Sequence, residues 1–313
     1  MTKDSSELPG LEKLYHQAKL NGTPVELMDE QSLKEIEPFA KTIKNALYSP
    51  ETAIINPNEV LKYLAIELEQ MQVNFEFNTS FIKRLQNNEI LTSKGSMTYD
   101  YLINTSGAHC DLIAHQYQLG LDYQLIPFRG EYKKYMPEKA QFIKGNIYPV
   151  PNPQLPFLGV HFTRSIDGNV YIGPNAFPAL GREHYGGLSG INTEAIPLLS
   201  SLLYLYCKDD LFRHLSHESL HRYQPHYFFN EAKKMVQNLS AKDILSCKKS
   251  GIRPQLINRQ SKKLVMDFLI EKNEESLHVL NAISPAFTCA FPFASYIADQ
   301  IGQANPIAPL SFA

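Results

Sequence analysis

No Gly-x-Gly-x-x-Gly turn occurs anywhere in these 313 residues. A complete Rossmann unit carries that turn between an apolar strand and a helix whose N-terminus receives the cofactor pyrophosphate. Here Met1 is followed by a polar stretch and a helix instead. Cysteine is sparse: Cys110, Cys207, Cys247 and Cys289 are widely spaced and form no Cys-x-x-Cys pair. That argues against a zinc site and a disulfide scaffold, and fits reduced thiols in a cytoplasmic protein. Long hydrophobic runs are missing too. The longest, around Ile196 to Cys207, is interrupted by Ser200 and Ser201 and falls well short of the roughly 20 residues that span a bilayer. No basic segment followed by an apolar one marks a secretory signal. Charge is balanced, with 30 Lys and Arg against 32 Asp and Glu, a net charge of -2 and a pI near 6.6. No basic field for nucleic acid follows from this, and a small-molecule partner is expected.

What remains is a chain with 43% hydrophobic and 20% charged residues, able to bury the core of one large or two ordinary domains. Leu8, Leu11, Leu14, Tyr15 and Ala18 recur at helical spacing, with Gly22 as a stop. A second helix has Asn56 as N-cap and Pro57 at its first position. Its face of Val60, Leu61, Leu64, Ala65, Leu68 and Met71 is expected to pack on a sheet. Short strands follow near 73–77, 81–85, 90–92 and 99–104, then a helix from about His109, which is an α/β segment. From Gln124 the runs lengthen, and strands at 159–164 and 169–172 are joined by Asp167-Gly168, a hairpin signal. Residues 193–239 read as mostly helical, strands return near 264–270 and 277–281, and a last helix is expected after Ser284-Pro285.

Several positions suit chemistry. Thr105-Ser106-Gly107 follows an apolar strand, and Gly107 lets a backbone approach a phosphate or flavin closely; an ordinary strand-to-helix turn has the same pattern. His161 on its strand is suited to accept a hydroxyl proton, with His278 as a second candidate base. His214, His217, His221 and His226 recur near Asp209, Asp210 and Glu218, but a solvated helix face accounts for them better than a metal site, and no metal is expected.

The runs Pro127-Phe128-Arg129-Gly130-Glu131-Tyr132, Ile147 to Pro151, Gly159 to Arg164, Ile166-Asp167-Gly168 and Gly173-Pro174-Asn175-Ala176 resemble the L-2-hydroxyglutarate dehydrogenase/oxidase family, within the D-amino-acid-oxidase-like group of FAD oxidoreductases. Gly251-Ile252-Arg253-Pro254 and Asn281 to Ala286 extend that resemblance, which covers about Leu8 to Ile301. It implies an α/β (α+β) fold: an incomplete FAD/NAD(P)-binding Rossmann-like domain plus an antiparallel-sheet substrate domain. The expected division is 1–122 with the remainder of the FAD-binding domain, 123–250 for substrate, 251–301 returning to the FAD-binding domain, and a loose tail from 302. The family's opening FAD-binding unit would lie before Met1, so the chain as it stands is expected to hold FAD weakly and substoichiometrically.

The implied activity is oxidation of L-2-hydroxyglutarate to 2-oxoglutarate by hydride transfer to FAD, with quinone or oxygen taking the electrons. A cytoplasmic location with peripheral contact at the inner membrane goes with it. By resemblance, Thr105, Ser106, Gly107, the strand position Phe81, and the turn Ser284, Pro285, Ala286, Phe287 and Thr288 face the cofactor. Arg253 resembles the arginine that clamps the substrate carboxylate bidentately. Arg164, and less so Arg129, are placed to meet a second carboxylate, with His161 as base. Another hydroxy-acid or amino-acid oxidase of the same group, or a truncated, non-catalytic homologue, fits the same residues.

Overall fold

The computed structural model describes residues 1–152, 158–191, 193–208, 213, 226–283 and 286–301. The chain divides into two units, each drawn from three segments: 1–73, 129–177 and 214–251 in the first, 74–128, 178–213 and 252–313 in the second. Two long strands, β7 (Tyr123–Tyr135) and β11 (Ile244–Asn258), contribute residues to both and pair with each other.

In the first unit, α1 (Leu8–Leu20) runs at the predicted spacing and ends at Asn21, with Gly22 in the left-handed region at φ +69°. Strands β1 (Glu26–Asp29) and β2 (Asn45–Tyr48) pair antiparallel around α2 (Glu30–Ile36), which the Asp29 carboxylate caps by accepting from the Ser32 amide. Helix α3 (Pro57–Gln70) begins as its sequence requires, the Asn56 side chain accepting from the Asn58 amide and Pro57 taking the first position. Its apolar face departs from expectation. No residue of α3 is buried, and Leu61 and Met71 are 53% and 73% exposed. Residues 73–77 are not a strand either; Phe75 and Phe77 stack on each other there.

The main sheet of this unit pairs β7 antiparallel with β9 (Val170–Gly173), and β9 with β8 (His161–Arg164). The Asp167-Gly168 turn joins β8 to β9 as the sequence predicts, with Gly168 at φ +80° and the Gly168 amide donating to the Ser165 carbonyl. One face of this sheet is core: Phe162, Val170 and Ile172 are fully buried with Tyr135, Ile143, Ile147, Ala232 and Met235. Helix α6 (Tyr227–Ala232) closes that core through Phe228, after the helix α5 (Ala195–Lys208) of the second unit.

The second unit holds two three-stranded sheets. One is antiparallel, β3 (Phe81–Arg84), β4 (Glu89–Thr92) and β5 (Gly95–Thr98) in order. The other places β13 (Ser276–Asn281) between antiparallel β12 (Leu269–Lys272) and parallel β6 (Leu102–Asn104). Helix α4 (Cys110–Gln116) packs on β13, its Cys110 and Ala114 meeting Leu125, Leu256 and Leu280. The last helix, α7 (Ala290–Ile301), starts later than expected. Residues 286–289 form turns before it, and Ile297 packs on Ile270, Leu277 and Val279. Ser284 and Pro285 lie outside the described residues, as do His214, His217, His221, Asp209, Asp210, Glu218 and the tail from 302.

Candidate active site

The turn after β6 is built by one buried side chain that the sequence does not advertise. Asn104 ends the strand, and its Oδ1 accepts from both the Ser106 amide (3.2 Å) and the Ser106 hydroxyl (2.7 Å). Its Nδ2 donates to the Cys110 carbonyl at 2.8 Å and to His278 Nδ1 at 2.9 Å. An amide nitrogen only donates, so His278 Nδ1 accepts, and the proton sits on Nε2, 2.9 Å from the Ser276 hydroxyl. The ring is therefore neutral and held at both nitrogens. Burial pushes its pKa down to about 4.

This overturns His278 as a candidate base. It is 0% exposed, between Tyr117 and Asn104, and its work is to orient the amide that shapes the turn. The turn itself is exposed: Thr105, Ser106 and Gly107 all face outward. Gly107 stands at φ +58°, and a Cβ there would meet no atom within 4 Å. An exposed turn with a glycine in the left-handed region and open space at its Cβ position fits the close approach of a flavin or phosphate, although the Ser106 amide is already engaged by Asn104.

A second device fixes the same turn from the loop after β10 (Phe177–Pro178), a short strand beside β7. Arg182 donates from Nη1 to the Ala108 carbonyl and to Asp111 Oδ1, and from Nη2 to Asp111 Oδ2 at 3.1 Å. Asp111 in turn accepts from the Leu125 amide at 2.9 Å. Both charged groups are almost fully buried, at 5% and 1% exposure. The pair is bidentate, the geometry in which a buried ion pair is best tolerated, and the remaining Nε of Arg182 makes no hydrogen bond among the described residues but lies 3.4 Å from the Glu194 carboxylate.

Phe81 opens β3, half-buried and opposite Thr92. Its sheet is tied to the turn's helix through Arg84, whose amide donates to Gln116 Oε1 at 2.7 Å and whose guanidinium pairs with Glu275. Ala286, Phe287 and Thr288 lie in the turns before α7 and not on a helix N-terminus. Arg253 lies within β11, half-buried, and burial lowers the pKa of its guanidinium.

The residues expected on the substrate side separate in the first unit. His161 pairs with Gly173 and Phe162 with Ile172, so alternate residues of β8 face opposite ways. Arg164 pairs with Val170 on the core face and donates from Nη1 to the carbonyls of Ala140 (3.0 Å) and Ile143 (2.8 Å). It closes the short 3-10 helix Pro137–Phe142, and is not beside His161. The expectation that Arg164 meets a substrate carboxylate is corrected on that ground. Odd spacing along a strand separates two side chains by the sheet itself. Arg129 pairs with Glu131 at 2.8 Å.

His161 has the opposite character. It is half-buried, its ring tilts against Tyr148 with centroids 4.8 Å apart, and Nδ1 lies 2.9 Å from the Gly159 carbonyl. A carbonyl only accepts, so Nδ1 carries the proton and Nε2 keeps its lone pair. Burial pushes the ring's pKa below its ordinary 6.5, the Gly159 bond opposing in the lesser part. The imidazole is neutral at pH 7 and able to take a proton.

Among the described residues no group of three or more His, Cys, Asp or Glu is arranged to hold a metal ion, and no helix is long and apolar enough to cross a membrane.

Residues 1–300 match the family described as FAD dependent oxidoreductase. The chain belongs to that family. Among curated relatives, the L-2-hydroxyglutarate dehydrogenase of Indibacter alkaliphilus is 34% identical over 293 residues, covering 90% of this chain and 70% of the relative. The mitochondrial L-2-hydroxyglutarate dehydrogenase of Nematostella vectensis is 31% identical over 332 residues, covering 96% and 70%. The solved L-alpha-glycerophosphate oxidase of Mycoplasma pneumoniae, with FAD bound, superposes with a TM-score of 0.70 at 17% identity, covering 99% of this chain and 73% of that one, which shows a shared fold. The mixed helix-and-sheet class expected from the sequence is therefore observed, and FAD is the cofactor of the family to which the chain belongs.

Proposed function

We propose that this protein takes part in the FAD-dependent oxidation of L-2-hydroxyglutarate to 2-oxoglutarate. The observation that carries the reading is the likeness at about three residues in ten, over nine tenths or more of this chain, to enzymes of that printed activity. The resemblance of Gly251-Ile252-Arg253-Pro254 and of Gly159 to Arg164 to the same enzymes agrees with it.

FAD, when bound, accepts the hydride that leaves C2 of the substrate. The chain's own residues supply the rest. Thr105 to Gly107 let the cofactor approach the backbone closely on an exposed turn held by Asn104 and Arg182. Phe81 and Ala286 to Thr288 are further cofactor contacts in this reading. Arg253 holds the substrate's C1 carboxylate with a forked pair of donors, which fixes the C2 hydrogen in one direction. His161 takes the hydroxyl proton at Nε2 as the hydride departs, the position its Gly159 bond leaves open. The electrons pass on to a quinone or to oxygen.

Arg253→Ala tests the assignment. With FAD supplied in excess, the variant is expected to bind as much FAD as wild type while kcat/KM for L-2-hydroxyglutarate falls by the equivalent of about 1.5–3 kcal/mol, the size of a lost hydrogen bond to a charged group. Unaltered steady-state kinetics in that variant would remove Arg253 from the substrate.

A further inference from the structure

The face of the β7–β9–β8 sheet opposite the core is polar, and its residues have no part in packing the first unit's interior. Register fixes its membership. Thr163 and Lys134 both pair with Tyr171, and His161 pairs with Gly173, so all share the face turned away from Phe162, Ile172 and Val170. Tyr132, two residues before Lys134, joins them by the alternation of a strand.

Onto this face β11 brings Lys249. Its Nζ lies 4.0 Å from the ring centroid of Tyr171 and 5.2 Å from that of Tyr132. Two rings hold the ammonium without neutralising it. The neighbouring cation, Lys134, stands near Asp167, whose carboxyl the Asn169 hydrogen bonds hold below the ordinary range, with Lys134 contributing in the least part. Lys249 makes no ion pair among the described residues. The face therefore presents the Lys249 ammonium, brought in by β11, and on β8 a neutral histidine. Tyr132 and Tyr148 lie between them in the sense of contact: Tyr148 stands near Tyr132 and packs on His161.

The spacing is suited to one kind of ligand. Tyr171 opposes Thr163 on the neighbouring strand, and His161 lies two residues before Thr163, which puts it roughly 8–9 Å from Tyr171 on the diagonal at ordinary strand spacing and rise. An ammonium over the Tyr171 ring thus stands one short diacid's reach from His161. In 2-hydroxyglutarate the C2 hydroxyl carbon and the C5 carboxylate are separated by three carbon–carbon bonds. We propose that Lys249, seated on Tyr171 and Tyr132, binds the second carboxylate of a five-carbon dicarboxylate and so selects it over monocarboxylates. The inference rests on the reading of L-2-hydroxyglutarate as substrate, and it gives to Lys249 the role that Arg164 was expected to play.

Lys249 is exposed, so its substitution leaves the core intact. The experiment is calorimetric titration of the protein, with FAD present, by 2-oxoglutarate and by 2-oxopentanoate, its five-carbon monocarboxylate counterpart. In wild type 2-oxoglutarate binds more tightly. Lys249→Gln weakens it about tenfold or more, the scale of a charge-assisted contact, and leaves 2-oxopentanoate unchanged. Lys249→Arg keeps most of the affinity. If Lys249→Gln still prefers 2-oxoglutarate as wild type does, the proposal is overturned and the proposed function stands. If wild type binds the two acids equally, the dicarboxylate reading fails and the role of Lys249 fails with it.

Discussion

Single side chains decide the chemistry here through which hydrogen bonds they have already spent. Two histidines of similar sequence context end in opposite states: His278 is bonded at both nitrogens and buried, whereas the Gly159 carbonyl engages only Nδ1 of His161. A pH profile should report the difference. The proton-accepting form of His161 is lost as pH falls through its pKa, which lies below 6.5, so kcat/KM should hold level above pH 6.5 and decline on the acid side. His161→Asn should lower kcat by about a hundredfold or more and abolish that limb; a surviving acid limb in the variant would assign it to another group. The motifs, their order and the existence of the turn were legible in the residues. Which nitrogen of a histidine is free was not, because it depends on carbonyls and amides distant in sequence. Asn104 was missed for the same reason, since its partner His278 stands 174 positions away. A polar residue at the end of an apolar strand was the only sign of it.

At the scale of elements, local signals read well where the physics is local. The Asn56-Pro57 start of α3 and the Asp167-Gly168 hairpin follow from capping and turn chemistry within a few residues. Long strands were harder: β11 runs through Pro254 and the polar Lys248-Lys249-Ser250 stretch without alternation that a sequence reader could follow. The placement of Arg164 failed at this scale, because its face depends on the register of β8 against β9. Two predictions concern the elements around the turn. Arg182→Leu strands the Asp111 carboxylate in the interior, and the cost, about 3–5 kcal/mol, should appear as a lowered urea midpoint. Asp111→Asn with Arg182→Leu should recover part of it, and a single variant as stable as wild type would refute the ion pair's structural role. The pairing of β6 with β13 should also depend on pH. The folded pKa of His278 is about 4 against 6.5 unfolded, so the unfolded chain takes up its proton first as pH falls. Stability from this site is complete above pH 6.5, is lost progressively between 6.5 and about 4, and changes no further below, by at most about 3 kcal/mol. Hydrogen exchange of the β13 amides at pH 7 and pH 5 measures it; equal protection at both would show that His278 keeps its proton count on unfolding.

Over the whole molecule, two units share the chain in alternating segments, which no linear division reproduces. The turn at Thr105 to Gly107 and Arg253 belong to one unit, His161 and Lys249 to the other. Cutting the sequence at 122 and 250 therefore groups residues differently from the contacts, since β7 and β11 each continue from one unit into the next. Family membership was legible because it rests on runs such as Pro127 to Tyr132 and Gly159 to Arg164, where many residues agree at once; single roles such as that of Arg164 were less secure because each rests on one side chain. The most direct test of the central claim is anaerobic mixing of the FAD-loaded protein with L-2-hydroxyglutarate while the visible flavin absorbance is followed. The absorbance should bleach and 2-oxoglutarate accumulate in equal amount, whereas glycine, D-alanine and lactate should leave it unchanged. Bleaching by one of those three, with L-2-hydroxyglutarate inert, would contradict it.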